Sequence, residues 1–522
     1  MRFYLLTRKF VINCVCFFVL FLGHSALHDC VDSDDSLEII QLLLDNGAKF
    51  CKDFSGLTPL MTAALAGKSF IVEFFFDYLK SNLEIFDYDR EDAYRLLGST
   101  AVDKNDDLRL ALKYWEKALE VRDPKRAGFQ QSLNLGDDDV QHHFYKVGFS
   151  NSYEFETFDD LEIIKYDSMK IHMQALLIRE RIVGVDHPDT SFFIRSRGVN
   201  LVFMNHESQC FSLWMYMLKQ QHDSCKPLSL VTINSYVSLI ELISHMLRDD
   251  DLRAELKMCD IFRIWKLASE ELLNYIEVMP KRDSRNSSEN CSNIFQIYSN
   301  KSDDVVDFIR DGLKFNGDSN PLDRQFLICI QLMGFMCENK HKMCSKMYHE
   351  FRRSVYHFVR RNPRSSCLSS ILHIMCFIRW SDFCMPPNLR LFLDIFNLIV
   401  DMSPDLNEID SAGNTALHFL FRDRYFKNTW INLLLKRGAH LDVCNQAGRT
   451  PMDYLPEGET RWDKHNLLTL MCLCAQKISK IILSQSSKSK REQTLDVLPN
   501  DLKKFVELHM PRSLTAYPNE DN

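Results

Sequence analysis

"GHSALHDCVDSDDSLEIIQLLLDNGAKFCKDFS", residues 23–55, runs directly into "GLTPLMTAALAGKSFIVEFFFDYLK", which starts at Gly56. Each stretch opens with a glycine and then a Ser or Thr at a helix-capping position, Ser25-Ala26-Leu27-His28 in one and Thr58-Pro59-Leu60-Met61 in the other. Leu42, Leu43 and Leu44 form the apolar side of a second helix. Asn46-Gly47-Ala48 closes that helix, with Gly47 suited to the left-handed position past its end. The two opening glycines, 23 and 56, lie 33 positions apart.

A period of 33 with this helix–turn–helix text is the ankyrin period. It returns near the C-terminus as Gly413, Thr415-Ala416-Leu417-His418, Leu433-Leu434-Leu435 and Gly438-Ala439, with a further start at Gly448-Arg449-Thr450-Pro451. A more worn copy, "SSILHIMC", places Leu372-His373 ahead of "LFLDIFNLIVDMSPDLNEID". The repeats therefore fall in two blocks, residues 23–90 and 363–458. The chain is predicted to be all-α, a helical repeat solenoid in which each unit buries its apolar face on the next.

Between the blocks the periodicity stays helical. "AYRLLGSTAVDKNDDLRLALKYWEKALEVRDP" has Gly98 in a first helix, then Ala111, Trp115 and Ala118 at second-helix spacing and Pro124 at the close. "HPDTSFFIRSRGVNLVFMNHESQCFSLWMYMLKQQ" has Gly198, Leu201, Cys210 and Trp214 in the same order. Both read as tetratricopeptide helix pairs, although Gly98 to Ala111 is one residue longer than Gly198 to Cys210. Residues 91–280 are assigned to this tetratricopeptide-like region, 281–321 to a linker or long loop, and 322–362 to further helices.

Composition narrows the function classes. The chain has 522 residues, 46% apolar and 26% charged, with a net charge of −8. Nothing in that balance points to nucleic acid or a membrane surface. Seventeen cysteines, an odd number at irregular spacing, favour a reducing compartment, cytoplasmic and also nuclear, over a disulfide framework. Residues 1–22 complicate this, because Arg2, Arg8 and Lys9 precede an apolar run in the manner of a secretory signal, and three sequons (Asn286, Asn290, Asn300) follow later. A cut after His24-Ser25-Ala26 would remove the residues that seat the first repeat helix, so residues 1–22 read as unrelated text joined to a shortened array.

"LLGSTAVDKNDDLRLALKYWEKAL", "MQALLIRERIVGVDHPDTSFFIRSRG" and "KRGAHLDVCNQAGRTPMD", in this order between and within ankyrin blocks, resemble the feminization-1 homologue (Fem) family over roughly residues 23–510. The resemblance implies a substrate receptor of a cullin-2 ubiquitin ligase that recognises C-terminal ends of target proteins. The family's N-terminal array is longer, so no degron-binding residue carries over. Phe21 and Leu22 stand where one branch has a His-Cys pair, so no metal ligand carries over either.

Two short motifs in residues 463–512 fit that implication. In "TLMCLCAQKI", Leu470, Cys474 and Ile478 stay within about 80° of one helix face. A docking leucine with a small cysteine one turn on resembles an elongin C-binding box, and burying the leucine would supply roughly 1.5–3 kcal/mol. "VLPNDLKKFVELH" places Leu498, Pro499, Leu502, Phe505 and Val506 as a proline-led apolar face, similar to a cullin-2 box. Ordinary core helices would also produce such spacings. Cys337, His341, Cys344 and His349 have zinc-like residue types, but core thiols beside solvated histidines account for them better. No P-loop, GxGxxG, GxSxG or HExxH motif occurs, so no cofactor and no catalytic site are expected. The expected function is a non-catalytic adaptor with elongin C (with elongin B), cullin-2 and target proteins as partners. The rival is a passive repeat scaffold, and a weaker one a secreted or membrane-anchored repeat protein.

Overall fold

The computed structural model describes residues 25–32, 36–82, 87–122, 139–185, 187–278, 320–365, 369–377, 389–403, 405–422, 428–455, 470–483, 493–499, 502–503 and 506. Among these residues the regular structure is entirely helical, without a strand. Residues 1–24 and nearly all of the 281–321 linker lie outside the described residues. Two compact units divide the chain, Met1–Cys225 and Lys226–Asn522. That division falls inside the stretch assigned as one tetratricopeptide-like region.

The first unit contains α1 (Ala26–Asp29), α2 (Ser36–Asp45), α3 (Pro59–Ala66), α4 (Ser69–Asn82), α5 (Asp87–Asn105), α6 (Leu108–Glu120), α7 (Asp139–Gly148), α8 (Phe158–Ile164), α9 (Ser168–Val183), α10 (Pro188–Phe203) and α11 (Glu207–Ser224). The second contains α12 (Leu230–Met246), α13 (Asp250–Glu255), α14 (Met258–Val278), α15 (Pro321–Glu338), α16 (Ser345–Arg360), α17 (Ile371–Phe377), α18 (Leu389–Met402), α19 (Ala416–Arg422), α20 (Asn428–Lys436) and α21 (Leu470–Leu483). Helix α15 is mostly apolar, is buried on every side from Asp323 to Cys337, and packs against α12, α14 and α18.

The ankyrin turns repeat one local device. Asp53 Oδ1 accepts from the amides of Ser55 and Leu57, both at 2.8 Å, and Gly56 closes the turn at φ +80°. Asp410 does the same for Ala412 and Asn414 around Gly413, and Asn445 for Ala447 and Arg449 around Gly448. A short acceptor side chain and a glycine three positions on are what this turn requires. Helix α2 ends as its sequence demands, with the Ala48 amide donating to the Leu43 carbonyl across Gly47 at φ +83°.

A second device joins neighbouring repeats. The Ser25 amide donates to His28 Nδ1 at 3.1 Å, so the proton sits on Nε2, which donates to the Leu57 carbonyl at 3.0 Å. His418 likewise receives from Thr415 and reaches the Arg449 carbonyl, and His373 receives from Ser370 and reaches the carbonyls of Asn414 and Glu408. In each case a carbonyl contacted belongs to the residue just after the turn glycine of the next repeat. Burial, with Arg364 nearby, pushes His373 down from 6.5 to about 4, which keeps this bridge neutral.

The two tetratricopeptide-like pairs, α5–α6 and α10–α11, share a third device. The Trp115 indole N–H donates to the Arg95 carbonyl at 3.1 Å, and that of Trp214 to the Ile194 carbonyl at 3.3 Å. Both tryptophans are 20 residues beyond their acceptor, and both pairs turn through a left-handed residue, Asp106 or Asn205, nine positions before the tryptophan. The loops are thus equal in register. The odd residue in the first pair comes from its glycine standing one position earlier, still beneath the indole. A Cβ on Gly98 would lie 2.2 Å from the indole nitrogen, and one on Gly198 2.1 Å.

Helix α9, which holds the "MQALLIRERIV" part of a stretch quoted for the Fem resemblance, supplies a polar cluster of the first unit. Arg179 is fully buried and pairs with Asp103 at 3.0 Å. Glu180 accepts from the Tyr216 hydroxyl at 2.7 Å. Arg181 grips Glu154 through two nitrogens, at 2.6 and 2.8 Å, and Asp92 at 2.9 Å. Arg95 also reaches Glu154 at 2.8 Å. Burial alone would raise the Glu154 carboxyl, but Arg181 and Arg95 outweigh it and hold it below the ordinary range. Burial dominates at Glu180, which is pushed up to about 7.

Candidate docking site

The residues singled out near the C-terminus fall on two short segments that pack together. Helix α21 turns Ala475, Ser479 and Ile482 inward, at spacings of four and three. Val506, 2% exposed, closes against Ala475 and Ile482, with Ile478, Leu495 and Leu498 at the edge of this small core. The Ser479 hydroxyl donates to the Val506 carbonyl at 3.3 Å and ties the segments by a polar contact.

The outer side of α21 differs. Cys474 is exposed, Ile478 is half-buried and Ile481 is 54% exposed. On a 3.6-residue helix, positions 470, 474, 478 and 481 share one stripe, centred roughly 100° from the stripe of 475, 479 and 482. The helix thus has one face toward its own chain and another toward solvent. Leu470 begins α21, and its side chain lies outside the described residues.

In the second segment, the Lys503 amide donates to the Pro499 carbonyl at 2.8 Å, a helical turn opening at the proline. Proline suits that place, since its missing N–H would have had no partner in the first turn. Pro499 is exposed and Leu502 is 45% exposed, while Leu498 is half-buried and Val506 buried. Phe505 lies outside the described residues. The five positions named from sequence therefore do not share one environment: Val506 and Leu498 join the segment to α21, and Pro499 and Leu502 face outward. Sequence reasoning missed Ala475, Ser479 and Ile482, whose apolar-or-small pattern at four and three was present but unremarked.

The zinc-like residue set separates. Cys337 is buried, its thiol pushed up to about 12 by burial, whereas His341, Cys344 and His349 are exposed. Among the described residues no group of three such side chains is placed to hold a metal ion. No helix of the described residues is long and apolar enough to cross a membrane.

Glycine-closed Asx turns, bridging histidines and stacked helix pairs define a helical repeat protein of the ankyrin kind. No family model matches the chain. It is 30% identical over 482 residues to protein fem-1 homolog C of Bos taurus, an alignment covering 90% of this chain and 68% of that protein. The same figures hold for protein fem-1 homolog C of Homo sapiens. Identity to protein fem-1 homolog A of Bos taurus is 27% over 533 residues, covering 93% and 72%. The chain belongs to the Fem-1 family.

Proposed function

We propose that this chain is the substrate-recognition adaptor of a cullin-2 ubiquitin ligase, working in a reducing compartment, the cytoplasm or nucleus. Helix α21 docks on elongin C, itself joined to elongin B, and the Pro499-led turn docks on cullin-2. The ankyrin and tetratricopeptide surfaces hold a target protein by its C-terminal end. The chain has no chemistry of its own; its contribution is proximity, raising the effective concentration of target lysines near the activated ubiquitin carrier.

One observation carries this reading. The two box-like segments are joined through Val506, Ala475 and Ile482, yet leave Cys474, Pro499 and Leu502 toward solvent. These three side chains are therefore available to a partner without unpacking the two segments from each other.

Binding of the purified full chain to an elongin B–elongin C–cullin-2 complex tests it by calorimetry. Wild type should bind at micromolar concentration or tighter. Cys474→Asp combined with Leu502→Asp should weaken binding at least tenfold while leaving the melting temperature nearly unchanged, because both side chains are outside the core. A folded wild-type chain that ignores the complex at micromolar dose, or a double variant that binds fully, would overturn the assignment.

A further inference from the structure

Helix α16 of the second unit has a basic face that the adaptor reading does not use. Its inner side is apolar, with Phe351, Val355, Phe358 and Val359 buried. Its outer side presents Lys346, Arg353 and Arg360, all exposed, at i, i+7 and i+14. These three lie within an arc of about 40° and about 10.5 Å apart along the axis. His349 and His357 flank the line, and Arg360 stacks over Tyr356 with 5.2 Å from guanidinium to ring centre. Arg352 is exposed but lies about 100° round from this line, and Glu350, the helix's one carboxylate, stands one turn from both Lys346 and Arg353 beside it.

The helix dipole does not set this arrangement. Cations at the helix C-terminus, such as Arg360, complement the helix dipole. Lys346 stands in the first turn, where the dipole opposes it, and Arg353 is mid-helix. Three nearby cations of the unit are paired: Lys340 with Asp394 at 3.2 Å, Arg364 with Glu408 at 3.3 Å, and Arg361 with Glu277. No carboxylate among the described residues pairs with Lys346, Arg353 or Arg360.

We propose that the outer face of α16 is a docking surface for an acidic segment of a partner protein. The occupant is chosen by charge and dimension. In a polyproline II segment, with about three residues per turn and about 3.1 Å rise each, every third residue returns to the same side about 9.3 Å further on. That is close enough to the cation spacing of about 10.5 Å for flexible side chains to bridge, so carboxylates at every third position meet all three cations. The stripe is one helix wide in a chain of net charge −8. A nucleic acid, with phosphates on all sides of its axis, would need a broader basic surface.

The test uses fluorescence anisotropy at low salt, with the full chain and a fluorescein-labelled 15-residue peptide bearing Glu at every third position. The same peptide with Gln in place of Glu and a single-stranded 12-mer DNA serve as competing probes. Expected are micromolar binding of the Glu peptide, at least tenfold weaker binding of the Gln peptide and of the DNA, and at least tenfold loss for the Arg353→Glu, Arg360→Glu double variant. Arg353→Lys with Arg360→Lys should bind within threefold of wild type. Should charge reversal perturb folding, Arg353→Gln with Arg360→Gln takes its place, with at least a fivefold loss expected. Equal affinity of wild type and the folded neutral variant, or DNA bound as tightly as the Glu peptide, or no binding of the Glu peptide, overturns the proposal.

Discussion

Helices α9 and α16 are both sixteen residues long and both rich in arginine, yet their charges end in opposite places. In α9, Arg179, Glu180 and Arg181 are consecutive, so they point to three sides of the helix, and each side meets a partner. Asp103 comes from α5, Tyr216 from α11, and Glu154 with Asp92 from the loop before α8 and from α5. In α16 Lys346, Arg353 and Arg360 recur at seven-residue spacing, fall on one side, and face water. The number of charges in a helix thus says little about burial. Their angular distribution, and whether other elements supply counter-groups at those angles, decides it.

Removing single arginines from the two helices would expose this difference most strongly. Arg181→Ala removes the cation that Glu154 and Asp92 share, leaving Glu154 with Arg95, and is expected to cost on the order of 3 kcal/mol, the low end of the scale for breaking a buried pair on one side. Arg353→Ala should stay within about 0.5 kcal/mol, as for a surface position with no fixed contact. Urea unfolding of both variants measures this. Equal losses would show that α16 is as tightly committed to its own fold as α9.

Next in size is the glycine beneath the tryptophan. Gly198→Ala would set a methyl 2.1 Å from the Trp214 indole nitrogen, so the ring must move and the bond to the Ile194 carbonyl must break or lengthen. Overpacking of this kind costs roughly 1–3 kcal/mol. A thermal melt of the variant, read beside tryptophan fluorescence, should show both a lower midpoint and an altered emission. An unchanged spectrum would mean that the shared frame of α5–α6 and α10–α11 does not rest on the indole.

How much of this was legible depends on the range of the interaction. The ankyrin turns were readable because Asp53, Asp410 and Asn445 bond amides two and four residues on, and the glycine's positive φ leaves a mark in the text. The helix pairs were readable as motifs. The apparent extra residue near Gly98 was resolved only by a bond spanning 20 positions, between Trp115 and the Arg95 carbonyl. The pairing of "RER" in α9 was not readable at all. Its partners lie 27 to 89 residues away in sequence, and charges at helical spacing look the same whether solvated or paired. At the docking site the outward stripe of α21 followed from spacing, but the inward role of Val506 needed the contact with Ala475 and Ile482.

The finest distinction between the two helices concerns protons. Glu180 of α9 titrates near 4.5 when unfolded and about 7 when folded, chiefly because burial disfavours its charge. Between those values the folded chain holds a proton that the unfolded chain has released, so stability falls as pH rises from 4.5 to 7 and the penalty is complete above 7. Glu180→Gln keeps an oxygen to accept from the Tyr216 hydroxyl and removes the charge. The variant should therefore be more stable than wild type at pH 8, by on the order of 1 kcal/mol once coupling to Arg181 and Glu154 is allowed for, and should match it near pH 4.5. Paired thermal melts across that range supply the measurement. A Gln variant less stable than wild type at pH 8 would mean that Glu180 works as an anion, and that Arg181, rather than burial, governs it.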